Sequence, residues 1–285
     1  METATDSTTT TNPTGTSLVE PKLSAIEQIR LRMNPDVLLR GRVVFIGLGG
    51  IGMFLSKSVV TFMAGLQQAL NTDLGEQVSV LLVDGDEFAP SNTYRMDVPA
   101  MGNKAVVLGK EMLEKFDALK IRWKPEYVTP DNIDSIIQDG DVVLLAVDNH
   151  KTRKLVSDHC QGLDDITLIS GGNDGVDDGL RGTYGNVQVY LREDCTDLTA
   201  PITQYHPEIA NPADKSPHEL SCLELEGTGI PQLSLVNLAV ASAMANALLR
   251  LLMPVAGERQ YDECALDILD AVSQPHWISG QQEQA

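Results

Sequence analysis

Short, continuous apolar runs recur along the first two thirds of the chain, and each ends in glycine or in an acidic residue. Such runs predict strands that are buried on both faces of a parallel sheet, here over 42–46, 78–83, 141–147 and 166–170. Between them, apolar positions at helical spacing predict helices over 53–70, 104–119, 131–138 and 151–160. Strands that alternate with helices predict an α/β, Rossmann-like fold with a mainly parallel central sheet and helices on both faces.

The last third of the chain has a different pattern. After a strand at 186–191, a proline-rich stretch over 199–217 predicts a long crossing loop. An apolar helix over 231–252 and a strand within 257–269 follow. We therefore expect one domain over 21–272, made of a nucleotide half (about 41–172) and a second half (about 173–272).

The two ends of the chain lack an apolar period. Residues 1–20 are expected to form a disordered N-terminal tail, because their first part is rich in Thr and Ser, and 273–285 a C-terminal tail. Ser24 and Glu27 have the spacing of a capping box, which predicts a short helix that runs to Met33 and includes Arg30 and Arg32.

The first predicted strand runs into a glycine-rich turn. Gly47, Gly49 and Gly52 have the spacing G-x-G-x-x-G, and the predicted helix follows them directly. A strand that enters a helix through such a turn presents backbone N–H groups and the positive helix end to phosphate. The turn therefore predicts a nucleotide site, and the alternative is a tight strand–helix turn without a ligand.

Polar side chains follow the second predicted strand. Asp84 and Asp86 end it, where carboxylates accept hydrogen bonds from a ribose, but much farther from the glycines than the roughly 20 residues of an NAD fingerprint. Asn92, Arg95 and Lys104 come next. Cations at this place suit nucleotidyl transfer, because negative charge builds up on the phosphates during that reaction, whereas a dehydrogenase needs few cations there. The alternative for Asn92, Arg95 and Lys104 is that each is a solvated surface residue.

The strand at 141–147 ends in Asp148 and Asn149, over the same predicted cleft. A carboxylate at this place can hold Mg²⁺ that bridges a triphosphate. The alternative is an N-cap for the helix that follows, and one residue can serve both purposes.

Composition and charge exclude several classes of function. The chain of 285 residues has 21 Lys and Arg against 40 Asp and Glu, a formal charge of −19, which disfavours a nucleic acid or an anionic membrane as partner. No run is expected to span a membrane, and the N-terminus lacks the pattern of a signal peptide. The four cysteines are widely spaced without a C-x-x-C pair, so we expect a reduced, cytoplasmic protein without structural zinc.

Taken together, these motifs resemble the ThiF-like adenylyltransferases, the superfamily of ubiquitin-activating enzymes and of bacterial activators of sulfur-carrier proteins. The resemblance covers about 42–172. The motifs that carry it are GLGGIG at 47–52, VDGDEF at 83–88, SNTYR at 91–95, Lys104, and VDN at 147–149.

The resemblance implies a role for each of these residues. Asp84 would hold the ribose of ATP, Asn92, Arg95 and Lys104 would orient its triphosphate, and Asp148 would bind Mg²⁺. Asp86 and Asn149 are further candidates for ATP binding. The family adenylates the C-terminal glycine of a ubiquitin-fold protein, commonly as a homodimer to which the partner's N-terminal helix lends an arginine. Arg30 or Arg32 is the candidate for that arginine, and the second half of the domain would bind the carrier.

Cys222 is the candidate nucleophile. It lies on a polar loop just before a predicted helix, a place that can lower a thiol pKa, and the resemblance puts the thioester-forming cysteine of activating enzymes at this junction. The alternative is a small residue that packs the loop.

The expected function is ATP-dependent activation of a ubiquitin-like modifier or a sulfur-carrier protein in a bacterial setting. Adenylation would be followed by a thioester on Cys222 and transfer to a conjugating enzyme. A second reading keeps adenylation without a thioester, as in relatives that modify peptides or small molecules. NAD-dependent oxidoreduction and a nucleotide-binding scaffold without chemistry are further alternatives.

Overall fold

The computed structural model describes residues 33–34, 36–70, 78–94, 96–117, 119–177, 179–219, 232–255 and 257–278, all in one unit of the chain. The strands are β1 Arg42–Ile46, β2 Ser79–Val83, β3 Glu87–Phe88, β4 Gly102–Asn103, β5 Lys120–Lys124, β6 Val142–Leu145, β7 Ile166–Asn173, β8 Val176–Asp177, β9 Leu180–Arg181, β10 Tyr184–Glu193, β11 Thr196–Asp197, β12 Glu263–Asp267 and β13 Val272–His276. The helices are α1 Asp36–Leu39, α2 Gly50–Leu70, α3 Lys104–Lys115, α4 Ile133–Ile136, α5 His150–Cys160, α6 Pro207–Ala210 and α7 Ser234–Leu252.

Within the described residues, nine strands pair in one sheet, in the order β13-β12-β10-β7-β6-β1-β2-β5, with β11 beside β10. The pairs from β7 through β6, β1 and β2 to β5 are parallel. From β7 to β10, β12 and β13 the pairs are antiparallel. The expected Rossmann-like α/β fold is therefore confirmed, with an antiparallel extension on one side.

Alternate side chains of the central strand enter two cores. Val43 and Phe45 of β1 lie in one hydrophobic cluster, together with apolar residues of α2, α3 and α7. Val44 and Ile46 lie in the other, with residues of α4 and α5. Because successive side chains of a strand point to opposite faces, this two-sided burial places helices on both faces of the sheet.

The short elements α1, β3, β4, β8, β9 and β11 were not predicted from the sequence, and three further regions differ from the expectation. The third predicted helix ends at Lys115 rather than near 119, and β5 follows it as a strand that was not predicted. The crossing loop contains the short helix α6. The segment expected as a C-terminal tail from 273 takes part in β13, which pairs with β12. The elements β5, α6 and β13 are all short, and β5 and β13 have sequences that mix polar and apolar residues.

The expectation that no run could span a membrane is wrong by length and composition. Helix α7, with 19 residues, is long and apolar enough to do so. In this fold it instead packs against β7, β10 and α2, and Val240, Met244 and Leu248 are buried in the core. The helix therefore has the surroundings of a core helix.

Candidate active site

The glycine-rich turn lies where β1 passes into α2. Gly47 has a φ of +84°, and a Cβ there would come within 2.8 Å of the Ala146 carbonyl oxygen. A Cβ on Gly52 would overlap the carbonyl oxygen of Gly47, whereas one on Gly49 would meet no atom of the described residues within 4 Å. The first glycine is thus required by the turn, the third by close packing, and the second faces open space that a ligand can enter.

Asp84 fastens this turn to the end of β2. Its carboxylate accepts the backbone N–H of Leu48 at 2.6 Å and that of Asp86 at 2.8 Å. The side chain is buried, and burial raises the pKa of Asp84 although Lys104 lowers it. Asp84 therefore holds the backbone of the turn.

Asp86 and Lys104 form an ion pair beside it. Lys104 Nζ lies 2.9 Å from Asp86 Oδ2, and the phenol of Tyr127 donates a hydrogen bond to Asp86 Oδ1. Despite burial, Lys104 and the Tyr127 hydrogen bond lower the pKa of Asp86. Burial lowers the pKa of Lys104, but Asp84, Asp86 and Asp148 raise it, and the net shift is upward. The site thus contains a partly buried ammonium that stays protonated and is surrounded by three carboxylates.

Backbone and capping bonds fix the start of α3. Asn103 Oδ1 accepts the Val106 N–H at 3.1 Å and thereby caps the helix. Its Nδ2 donates to the carbonyl oxygens of Asp84 and Asp86 at 2.9 and 3.0 Å. Lys104 is therefore held at the first turn of a helix that is tied to the end of β2.

Two further predicted phosphate ligands lie in the loop after β2. Asn92 is buried in the turn Pro90–Tyr94, where its Oδ1 accepts the Ala89 N–H at 2.9 Å. Arg95 lies outside the described residues. Asn92 thus shapes the loop that carries Arg95.

Asp148 lies at the end of β6, on the other side of β1. Its side chain is exposed and has no hydrogen bond or ion pair within the part of the chain that the structure describes. Asn149 next to it is buried and caps α5, since its Oδ1 accepts the Thr152 N–H at 2.8 Å. The two possible roles at this strand end are thus divided: Asn149 is the cap, and the carboxylate of Asp148 faces outward.

Arg153, which the sequence analysis did not single out, supports this strand end. It donates through Nη2 to the carbonyl oxygens of Val147 and Gly171, both at 2.7 Å, and through Nη1 to Ser170 Oγ at 3.0 Å. Burial lowers its pKa to about 10, and Asp148 opposes that effect. Arg153 therefore clamps the carboxyl ends of β6 and β7 together. No sequence motif marks it, because its role depends on two strand ends that meet only in the fold.

The crossing loop contacts the same edge of the sheet. Asp214 accepts the N–H groups of His150 and Lys151 at the start of α5, at 2.6 and 3.2 Å. Glu219 pairs with Lys151 Nζ at 2.6 Å. The loop is thus anchored beside Asp148 by two carboxylates, of which Asp214 satisfies the N-terminus of α5 and Glu219 pairs with a lysine side chain.

The described cysteines do not lie among these residues. Cys160 and Cys264 are buried, and exposed Cys195 donates its S–H to Asp164 Oδ1 at 2.8 Å, which raises its pKa. Cys222, Arg30 and Arg32 lie outside the described residues, so their predicted roles stay predictions.

The site residues fit magnesium bound through a nucleotide. Among the described residues, no three His, Cys, Asp or Glu side chains form a metal-binding group. Mg²⁺ in nucleotide sites is usually held by one or two carboxylates together with substrate phosphates and water. Asp148, exposed and near Lys104, matches that requirement.

The fold resembles that of several solved structures. E. coli MccB in complex with ATP matches with 16% identity and a TM-score of 0.59, over 86% of this chain and 66% of MccB. MccB with MccA-N7isoASN gives 16% and 0.60 over the same shares. PaaA matches with 15% identity and a TM-score of 0.59, over 94% of this chain and 87% of PaaA. The chain thus spans about two thirds of the length of MccB, and identities this low support the fold alone.

No curated protein sequence matches this chain significantly. The model of the ThiF family matches residues 24–271, which cover the nucleotide half and the antiparallel extension as far as β12. The chain therefore belongs to the ThiF family.

Proposed function

We propose that this protein is an ATP-dependent adenylyltransferase that activates the C-terminal carboxylate of a ubiquitin-like modifier or sulfur-carrier protein in the cytoplasm of a bacterium. The observation that carries the proposal is Lys104, a partly buried ammonium among carboxylates at the edge where the glycine-rich turn and Asp148 also lie. Oxidoreduction by NAD would leave this cation without a task. A scaffold without chemistry would not need it either.

Each site residue has a proposed task in the reaction. The open side of Gly49 would receive the phosphates, and Lys104 with Arg95 would stabilise the charge that develops when the acceptor carboxylate displaces pyrophosphate. Bound Mg²⁺, held by Asp148, would neutralise phosphate charge. Asp86 would turn from Lys104 to a ribose hydroxyl when Lys104 engages phosphate.

Cys222 is the proposed nucleophile of a second step. Its thiolate would attack the acyl carbon of the adenylate, release AMP and form a thioester for a conjugating enzyme. The charge of −19 favours a partner with a basic surface. A homodimer in which Arg30 or Arg32 reaches the partner's phosphates completes the proposal.

A second candidate function is adenylation of a peptide without a thioester. It is favoured by the fold match to MccB, which has been solved both with ATP and with MccA.

Pyrophosphate exchange and non-reducing gels separate the two functions. The protein is incubated with ATP·Mg²⁺ and either ubiquitin-fold proteins encoded beside it or short peptides encoded there, and ATP–pyrophosphate exchange and intact mass are measured. A thiol-sensitive adduct that is lost in Cys222→Ala and kept in Cys195→Ala supports the first function. Exchange with a peptide and no adduct supports the second, and no exchange with any acceptor contradicts both.

A further inference from the structure

A buried side chain beside the glycine-rich turn has no partner. Asn237 lies in the first turn of α7 and is fully buried, and neither its Oδ1 nor its Nδ2 has a hydrogen-bond partner within the described residues. Buried carboxamides in proteins are nearly always hydrogen-bonded, because an unpaired one loses its bonds to water without replacement. If Asn237 only filled space, an apolar residue of the same shape at this position would make the folded protein more stable.

The carboxamide of Asn237 packs directly on the start of α2. A Cβ on Gly50 would overlap Asn237 Nδ2, so glycine at this position is what admits the amide. A Cβ on Gly49, one residue earlier, would point into open space. The χ2 torsion of asparagine is broad, so the amide can turn from Gly50 toward that open side at small energetic cost.

Helices α2 and α7 lie side by side and run in the same direction. Gly50 and Asn237 meet near their starts, and farther along 58–62 of α2 faces 245–249 of α7. Both helices therefore begin at the same edge of the sheet, and the partial positive charge of each N-terminus acts on the same small volume. An unpaired amide between two helix N-termini is suited to an oxyanion.

We propose that Asn237 is a substrate-binding residue, whose carboxamide donates a hydrogen bond to an oxyanion held at the start of α2. Within the proposed function, on which this inference rests, two groups have that chemistry: a phosphate of ATP and the carboxylate of the acceptor. In either case the partner that Asn237 lacks among the described residues would arrive with the substrate.

The substitution Asn237→Leu tests the assignment, since leucine has the same branched shape without polar atoms. We expect the melting temperature of the free protein to stay unchanged or to rise, because no hydrogen bond is lost, while ATP–pyrophosphate exchange falls at least tenfold. Asn237→Ala, which cannot overfill the site, should lose exchange to the same extent. Asn246→Leu, at an exposed position of the same helix, is the matched control and should keep both properties.

Calorimetric titration with ATP·Mg²⁺ identifies the oxyanion. Weaker ATP binding by both Asn237 variants indicates phosphate, whereas unchanged ATP binding with a raised KM for the acceptor indicates its carboxylate. The inference is overturned if the variants bind and exchange within twofold of wild type, or if Asn237→Leu melts well below wild type. If wild type itself neither binds ATP nor exchanges, the proposed function fails and this inference fails with it.

Discussion

The ends of β2 and β6 both carry aspartates at one edge of the sheet, with β1 between them. At the end of β2, Asp84 accepts two backbone N–H groups and Asp86 holds Lys104 and Tyr127. At the end of β6, the exposed carboxylate of Asp148 has no such bond within the described residues, and Asn149 carries out the capping. Acidic residues that look alike in the sequence thus divide into carboxylates that bond to the protein's own groups and one, Asp148, that is exposed.

The comparison predicts the largest effect for the cation that the β2 carboxylates hold. In Lys104→Ala, exchange should fall about 10²- to 10³-fold, because removal of a donor to a developing oxyanion typically has that effect. Lys110→Ala, an exposed lysine on the same helix, is the control and should exchange like wild type. Exchange within fivefold of wild type in Lys104→Ala would contradict the role of this residue.

Replacing Asp148, the exposed carboxylate, should lower activity and leave stability nearly unchanged. In Asp148→Asn we expect exchange to fall about 10²-fold and the required Mg²⁺ concentration to rise, since a metal ligand is lost. The melting temperature should change by about 1 °C or less, because exposed groups without partners contribute little to folding. Asp158→Asn, in an exposed pair with Lys154 on α5, is the control for a lost surface charge. A melting temperature lowered by several degrees in Asp148→Asn would contradict the claim that this carboxylate has no structural role.

Replacing Asp84, the buried carboxylate, should lower stability instead. Asp84→Ala leaves the N–H groups of Leu48 and Asp86 without their acceptor, which costs about 2 kcal/mol. At about 2–4 °C per kcal/mol, the melting temperature should fall by about 4–8 °C. Thermal unfolding of Asp84→Ala and of Asp148→Ala, measured side by side, checks this. Equal melting points would show that the two strand ends do not differ in structural role.

The smallest expected effect is a pH dependence of stability on the β6 side of β1, where the crossing loop packs. His206 of that loop lies near Glu263 at 3.5 Å and Glu208 at 3.0 Å, and these contacts raise its pKa against the effect of burial. Its stabilising contribution is therefore complete below pH 6.5 and is lost as the pH rises through the raised value.

Thermal unfolding between pH 6 and 8.5 tests this effect on His206→Gln and wild type. Wild type should lose about 1–3 °C over this range by this route, and His206→Gln should lack that part of the decline. At the β2 end, Asp86 and Lys104 should add nothing over this range. Asp86, with a lowered pKa, loses its contribution only below pH 4, and Lys104, with a raised pKa, loses its own only above pH 10. A variant with the same slope as wild type would contradict the assignment to His206.

The sequence predicts an element correctly where the pattern that marks the element lies within one segment of the chain. The continuous apolar run of β1 predicts a buried strand, and the spacing of Gly47, Gly49 and Gly52 predicts the turn. It misses β5, KIRWK, because five residues with three cations carry little apolar signal, and β13 because Pro275 and polar residues are typical of loops. Both are edge strands with little burial, since Ile121 is the buried residue of β5 and the residues of β13 are exposed or half-buried.

The predicted site residues show a second limit. A motif can place Asp84 and Asp86 at a strand end, but it cannot tell which oxygens backbone groups already occupy. Tyr127 and Arg153 were missed because their partners are distant in sequence. Arg95 and Cys222 stay predictions, since they lie outside the described residues.

The two edge strands also restrict how other proteins can attach. In the described part of the chain, β5 and β13 end the sheet; the first carries Lys120, Arg122 and Lys124, and the second contains Pro275, which has no N–H to donate. Charges and proline on edge strands discourage pairing with a foreign strand. Growth of the sheet across molecules, either into aggregates or by capture of an extended chain, is therefore disfavoured at both sides. Recognition of a protein partner through side chains and loops is favoured over addition of a strand.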